Sequence, residues 1–179
     1  SHFKTIALEE KPKTPVVIWT TTPWTFPANQ AVCLHPNLVY CLIKIWHNDT
    51  WMQCLIAKEL VSAFLNRLKI ETHTVLAHVV GSKLENLQCQ HPFYARRVPL
   101  ILGEHVTVET GTGCVHTAPA HGQEDYDVSL GYILRLENPV GPNACFLANV
   151  EFLATKTVYK TNNKSIKFYL KKGHLCTHT

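Results

Sequence analysis

Along Val39-Tyr-Cys-Leu-Ile-Lys-Ile-Trp46, the side chains of Val39, Cys41, Ile43 and Ile45 fall on one face, and Tyr40, Leu42, Lys44 and Trp46 fall on the other. His47-Asn-Asp49 is turn chemistry, and an apolar run resumes from Trp51 to Ala57, so the period of two interrupted by a turn predicts a β-hairpin. Leu60, Val61, Phe64, Leu65 and Leu68 then recur at helical spacing, with Glu59 near the start and Lys69 at the end, where the helix dipole favours each charge. An amphipathic helix over 58–68 is expected. Thr72 to Val80 and Val98 to Val108 read as short strands broken by Gly81 and Gly103. One further helix is expected from near Gln123, and a last one from Asn163, capped by Asn162 or Asn163 and stopped by Gly173. Strands outnumber helices and no regular βαβ alternation is present, which predicts a mainly β, α+β chain built as a β-barrel with peripheral helices.

Composition narrows this without redirecting it. A chain of 179 residues, 46% hydrophobic and 17% charged, has the length and make-up of one domain with a real core, 1–179. No apolar stretch approaches the roughly 20 residues that span a bilayer, and the first fifteen residues are too polar for a secretory signal, so no membrane partner is expected. Seven cysteines, at 33, 41, 54, 89, 114, 145 and 176, are odd in number and never form a C-x-x-C pair. Reduced thiols are therefore expected rather than a disulfide frame or a zinc site. The net charge is +4, and Lys156, Lys160, Lys164, Lys167, Lys171 and Lys172 all follow the last acidic residue, Glu151. That run is either a solvated helix face or a contact for a polyanion.

Two segments carry the candidate chemistry. The apolar run Pro15-Val-Val-Ile-Trp19 ends in Thr20-Thr-Thr-Pro-Trp-Thr-Phe-Pro-Ala-Asn29, where Pro23 donates nothing to a ladder and pushes Thr22 to extended geometry. Three hydroxyls and their backbone groups would then stand free at a strand edge, able to hold a polar ligand; the plain alternative is β-branched strand filler. The second segment, Gly111-Thr-Gly-Cys-Val-His-Thr-Ala-Pro-Ala-His-Gly-Gln-Glu-Asp-Tyr126, places a glycine turn, a strand end, two histidines and an acidic helix start within one short stretch. His116 could be a hydrogen-bonded core residue, Trp24 a core aromatic, Asp125 a dipole-compensating acid, and His121 a structural or capping group. His116, His121 and Asp125 could also be drawn as metal ligands, but Pro119 breaks regular structure between the histidines, so no metal is assigned. A Cys114-His116 nucleophile shares a strand face but has no orienting third group.

Together, Trp19 to Asn29 and Gly111 to Tyr126 resemble the editing domain of isoleucyl-tRNA synthetases of the bacterial or organellar type. Fainter likeness runs through His91-Pro-Phe93, Ile101-Leu-Gly-Glu-His105 and Asn138-Pro-Val-Gly141, and Asn143-Ala-Cys145 departs from the usual turn. The resemblance implies a β-barrel editing domain excised from a larger synthetase. Its activity would be hydrolysis of the aminoacyl ester of valyl-tRNA(Ile) with isoleucine excluded, and its partners the 3′-terminal adenosine of that tRNA and the rest of the parent enzyme. It further implies that Thr20, Thr21, Thr22, His116 and Asp125 form the catalytic site, with no cofactor. Asp125 would grip the α-ammonium, His116 would close the side-chain end, the threonines would hold ester and ribose, and Trp24 would pack on the nucleotide.

No K-M-S-K-S or H-x-G-H wording is present, so aminoacylation by this chain itself is not expected. The compartment implied is the cytoplasm or an organellar matrix. Two other classes fit the same residues: a free-standing trans-editing deacylase, and a tRNA acceptor-end binding module without activity in isolation.

Overall fold

The expected hairpin sets the frame. The computed structural model describes residues 2–8, 14–20, 22–47, 49–92, 94–148, 150, 153–158 and 175–178. In chain order the strands are β1 (His2–Leu8), β2 (Thr14–Thr20), β3 (Ala31–Leu34), β4 (Val39–His47), β5 (Thr50–Ala57), β6 (His73–Val80), β7 (Gln88–Gln90), β8 (Arg97–Leu102), β9 (Cys114–Thr117) and β10 (Leu175–His178). Among the described residues the helices are α1 (Val61–Leu68) and α2 (Gln123–Tyr132), and 3-10 segments cover Pro23–Ala28, Lys58–Leu60 and Gly81–Lys83. The hairpin β4–β5 is in register from Tyr40↔Ala57 to His47↔Thr50, and Cys41, Ile43 and Ile45 are buried as their alternation predicts.

Pairing of β1 with β2 closes β1, β7, β8, β3, β9 and β2 into a ring, which is the expected barrel. Within it, β2 runs parallel to β9, β9 antiparallel to β3, and β3 parallel to β8. The β5–β4–β6 ribbon continues the sheet outward from β2, and β10 adds to β1. Among the described residues no helix is long and apolar enough to cross a membrane.

Helix α1, preceded by the 3-10 turn from Lys58, occupies the predicted 58–68. It ends at Lys69 in the left-handed region, φ 55°, where the Lys69 and Ile70 amides donate to the carbonyls of Asn66 and Leu65. Its Val61, Phe64 and Leu65 pack into the same core as Val16, Val17 and Ile18 of β2 and Ile56 of β5. Each such side chain, fully buried, contributes about 1.5–3 kcal/mol by removal from water. Of the short strands expected over Val98 to Val108 with a break at Gly103, the first is β8, which stops at Leu102, and no second one follows. There Gly103 donates its amide to the Leu34 carbonyl and the chain turns, so Glu104 to Val108 leave the sheet. The helix expected from Asn163 to Gly173, with Lys160, Lys164, Lys167, Lys171 and Lys172, lies outside the described residues.

One side chain fastens the ribbon to the barrel. Tyr40 is fully buried; its hydroxyl donates to the Gly113 carbonyl at 2.7 Å and accepts the His35 amide at 2.9 Å. Burial raises its pKa, so it remains a phenol. Gly113 has φ +71°, and a Cβ there would stand 2.4 Å from the Ala57 Cβ, so only glycine lets the turn before β9 sit this close to β5. Ala57 closes the contact by donating its amide to the Thr112 carbonyl at 2.9 Å. Tyr40→Phe strands both buried backbone partners and should lower the unfolding free energy by about 1–3 kcal/mol in urea titrations with an unchanged slope. A loss within error of zero would mean that the hydroxyl does not secure the turn.

Candidate active site

The site forms where β2 and β9 end side by side. Trp19 pairs with Val115 in parallel register, and on the other side of β9 His116 pairs with Val32 of β3. The chain leaving β2 does not continue as the open edge expected from its threonines. Thr22 donates its amide to Thr20 Oγ1 at 3.1 Å, and Pro23, whose fixed φ suits the first position of a helical turn, opens the 3-10 segment. Thr25 then donates its amide to the Thr22 carbonyl at 3.0 Å. The amides of Thr22 and Thr25 are thus committed to the turn, and hydroxyls rather than backbone donors are what Thr20 and Thr22 offer a ligand. Thr21 lies outside the described residues.

Arg96 holds the far end of this turn. Its guanidinium donates to the carbonyls of Pro27 at 2.9 Å and Asn29 at 2.8 Å and pairs with Glu137 at 2.9 Å. That clamp sets Thr25 and Asn29, both buried, against β9. His116 projects between them with Nε2 2.9 Å from Thr25 Oγ1 and Nδ1 2.7 Å from the Asn29 amide oxygen. Thr25 spends its hydroxyl proton on the Thr22 carbonyl at 2.8 Å, so Nε2–H donates to Thr25 and Nδ1 needs a donor. Turning the Asn29 amide over supplies one and gives its otherwise unpartnered Nδ2 an acceptor. The Phe26 ring packs at 5.6 Å between centroids from the imidazole.

Asp125 enters from the first turn of α2, whose N-cap is Gly122. Its Oδ2 accepts the Ala118 amide at 2.8 Å. Burial raises its pKa above the ordinary aspartate value, opposed by the Ala118 hydrogen bond and the charge of His105 and reinforced by Glu124. Thr20, Thr22, His116 and Asp125 all line one cavity of about 470 Å³. Thr25 and His105 line it too, although the sequence reading gave neither of them, nor Asn29, a role. The signal for Thr25 and Asn29 was their place inside the quoted Trp19–Asn29 segment. His105 had only a faint one.

Trp24 is set apart from that cavity. It lines an adjoining pocket of about 360 Å³ with Asn138, Val140 and Val158, and meets His121 edge-on at 5.3 Å. His121 lines both spaces, and burial lowers its pKa, favouring the neutral ring. Cys114 is fully buried with its thiol directed to the Leu55 carbonyl, and desolvation raises its pKa, so it is no ready nucleophile. Cys33, buried on β3, is pushed up to about 12 by desolvation, with the charge of Asp125 adding to the rise. Among the described residues no group of three His, Cys, Asp or Glu side chains is placed to hold a metal ion.

Known proteins share both sequence and fold with this chain. Residues 48–168 match the family model described as leucyl-tRNA synthetase, editing domain. The isoleucine–tRNA ligase of Thioalkalivibrio sulfidiphilus is 49% identical over 160 residues, covering 89% of this chain and 17% of the relative. That of Aliivibrio fischeri is 50% identical over 165 residues, covering 91% and 17%. The chain thus spans about a sixth of the length of these relatives. The crystal structure of the P. knowlesi cytosolic leucyl-tRNA synthetase editing domain superposes with a TM-score of 0.74 at 9% identity, covering 97% of this chain and 94% of that one. The P. falciparum counterpart gives 0.70 at 10% identity, covering 91% and 78%.

The raised pKa of Asp125 predicts how stability responds to its removal. A carboxyl whose folded pKa exceeds its unfolded one favours the fold fully below the unfolded value, and that support is lost as pH rises through the folded pKa. Asp125→Asn keeps an acceptor for the Ala118 amide and removes the desolvated charge. Its melting temperature should therefore exceed that of the parent at pH 7, with the difference closing in the acid range. A variant less stable than the parent at pH 7 and equal to it in acid would mean that the charge supports the fold.

Proposed function

The chain belongs to the editing-domain family of the aminoacyl-tRNA synthetases, in the form carried by isoleucine–tRNA ligases, a hydrolytic domain, and from that premise we propose that its cavity deacylates valyl-tRNA(Ile) and excludes isoleucine. Residues 1–179 are read as one such unit within a longer synthetase. The 17% share of its relatives favours that reading over a free-standing deacylase.

The observation that carries the proposal is the convergence of Asp125, His116 and the Thr20 and Thr22 hydroxyls on one cavity. With Oδ2 occupied by the Ala118 amide, Asp125 keeps Oδ1 for the α-ammonium of the substrate. The Thr20 and Thr22 hydroxyls hold the ester and ribose, with Thr21 assigned to the same task from sequence. The terminal adenosine leads toward Trp24 across His121, the wall that the two pockets share. Water attacks the ester carbonyl, the acyl C–O bond breaks, and the ribose oxygen leaves with a proton, releasing valine and deacylated tRNA. We assign activation of that water to the vicinal ribose hydroxyl, the protein supplying orientation and polar stabilisation of the oxyanion.

Selectivity falls to His116. One methylene is worth about 1–3 kcal/mol in a pocket, the isoleucine–valine pair being the worked case of that limit, so a second sieve must reject by exclusion. An imidazole pinned at both nitrogens is a firm wall for that purpose.

Asp125→Ala should slow single-turnover deacylation of valyl-tRNA(Ile) at least about tenfold, the scale of one hydrogen bond to a charged group; an unchanged rate would remove Asp125 from the ammonium site. His116→Ala should admit isoleucyl-tRNA(Ile), raising its hydrolysis relative to valyl-tRNA(Ile) by roughly ten- to two-hundredfold. A folded variant whose ratio stays at the parent value would exonerate His116 as the gate. Hydrolysis should also survive exhaustive chelation. Loss in EDTA with recovery on added zinc would replace this mechanism by a metal-assisted one.

A further inference from the structure

Among the described residues, the wall of the cavity carries the carboxylates of Glu124 and Asp125 and no lysine or arginine. An ester borne on the 3′ end of a nucleic acid brings a phosphate with it, and two carboxylates repel that charge unless a cation stands at the mouth. Arg67 is a cation in contact with this wall. Its Cζ lies 4.4 Å from the centroid of the Trp19 ring, over the face of an indole that lines the cavity, and its side chain is exposed. A positive charge in the last turn of α1 favours the helix, but that benefit does not require a stack on Trp19. Trp19 is itself held in place. Gly111, at φ +87°, packs so closely that a Cβ there would stand 3.1 Å from Trp19 Cβ and 3.3 Å from its Cγ. The indole is therefore a fixed platform, and a guanidinium resting on it gives up side-chain freedom before any ligand arrives. Stacking engages the π face and leaves the N–H groups of the guanidinium plane able to donate.

We propose that Arg67, stacked on Trp19 at the rim of the cavity, is a substrate-binding residue for the tRNA backbone, donating to the phosphate on the 5′ side of the terminal nucleotide. This rests on the deacylation reading above. With the ribose at the Thr20 and Thr22 hydroxyls, base and 5′ phosphate leave the sugar on opposite sides of its ring oxygen, from C1′ and C4′. The base is directed to Trp24 and His121, so the phosphate is directed the other way, past Trp19, the residue that precedes Thr20 in β2. A planar guanidinium can give two parallel N–H bonds to one phosphate, which the point charge of a lysine does not reproduce. The chemistry recognised is thus a phosphodiester and not the amino acid. Arg67 adds affinity for an RNA 3′ end seated in the cavity and no discrimination between valine and isoleucine.

The test compares valyl-tRNA(Ile) with valyl-adenosine, which carries the same ester and ribose and no phosphate, in the parent chain, Arg67→Ala and Arg67→Lys, with folding checked by circular dichroism. Arg67→Ala should lose roughly five- to thirtyfold in kcat/KM on valyl-tRNA(Ile), mostly through KM, and less than about twofold on valyl-adenosine. On the tRNA ester its slope of log kcat/KM against log salt should become shallower by about 0.7, the share of one phosphate in a single strand. Arg67→Lys should keep the parent slope and recover part of the loss. Equal losses on both esters overturn the proposal, since they make Arg67 a brace for Trp19. No loss on valyl-tRNA(Ile), or a loss in Arg67→Ala with the salt slope of the parent, overturns it as well. Should the parent hydrolyse only the tRNA ester, the salt slope decides. Failure of the parent chain to hydrolyse valyl-tRNA(Ile) at all is a distinct result, and it would remove the deacylation reading and this inference with it.

Discussion

The hydrogen bonds to His116 hold the site together. They join two pieces of chain distant in sequence: the turn from Thr25 to its end at Asn29, and β9 between β2 and β3. The imidazole is buried, so losing either partner leaves an unsatisfied nitrogen in low dielectric at about 1–3 kcal/mol, and the turn cannot drift without that cost. Arg96 reinforces the arrangement from outside by gathering the carbonyls of Pro27 and Asn29. The barrel supplies the rest of the constraint. With β9 flanked on both edges, the residue after Val115 has a single available direction.

The same cavity that His116 lines is also lined by Asp125, which is held less tightly. Asp125 has one fixed oxygen and one without a hydrogen-bond partner among the described residues, and desolvation raises its pKa while the Ala118 amide and His105 restrain the rise. The cavity thus has a rigid side suited to steric rejection and an electrostatically unsatisfied side suited to gripping a cation. Protein fold alone would have no use for the second; a buried carboxylate and the orphan Nε2 of His105 both weigh against stability.

How much of this was legible in the sequence depended on the range of the interaction concerned. Local patterns carried well: alternation from Val39 to Ile45 gave the hairpin, the Leu60 to Leu68 spacing gave α1, and the acidic stretch from Gln123 gave α2. The barrel followed from the lack of βαβ alternation, but its closure through β1 and β2 is a long-range pairing that no local period encodes. The threonines were misjudged in form because a proline after a strand is compatible with an edge or a helical turn, and the deciding contacts, Arg96 and His116, come from far along the chain. His105 was hidden for the same reason. The break at Gly103 was legible, but the turn it opens rests on the Gly103 amide's bond to the Leu34 carbonyl, which no local pattern encodes.

The magnitudes explain why a polar side chain can serve as a steric gate where an aliphatic one would not. An extra methyl group pushing into a wall is resisted only as far as the wall costs energy to move. A leucine or methionine at position 116 could change rotamer for about 1 kcal/mol, comparable to the 1–3 kcal/mol at stake in one methylene, and the pocket would simply adapt. Displacing His116 breaks bonds to Thr25 and Asn29 and leaves several buried polar atoms unpaired, at about 1–3 kcal/mol each. On the reading proposed above, the cost of yielding would exceed what the larger substrate gains by entering, and rejection would be enforced by the hydrogen-bond network behind the wall and not by the van der Waals surface that the substrate meets.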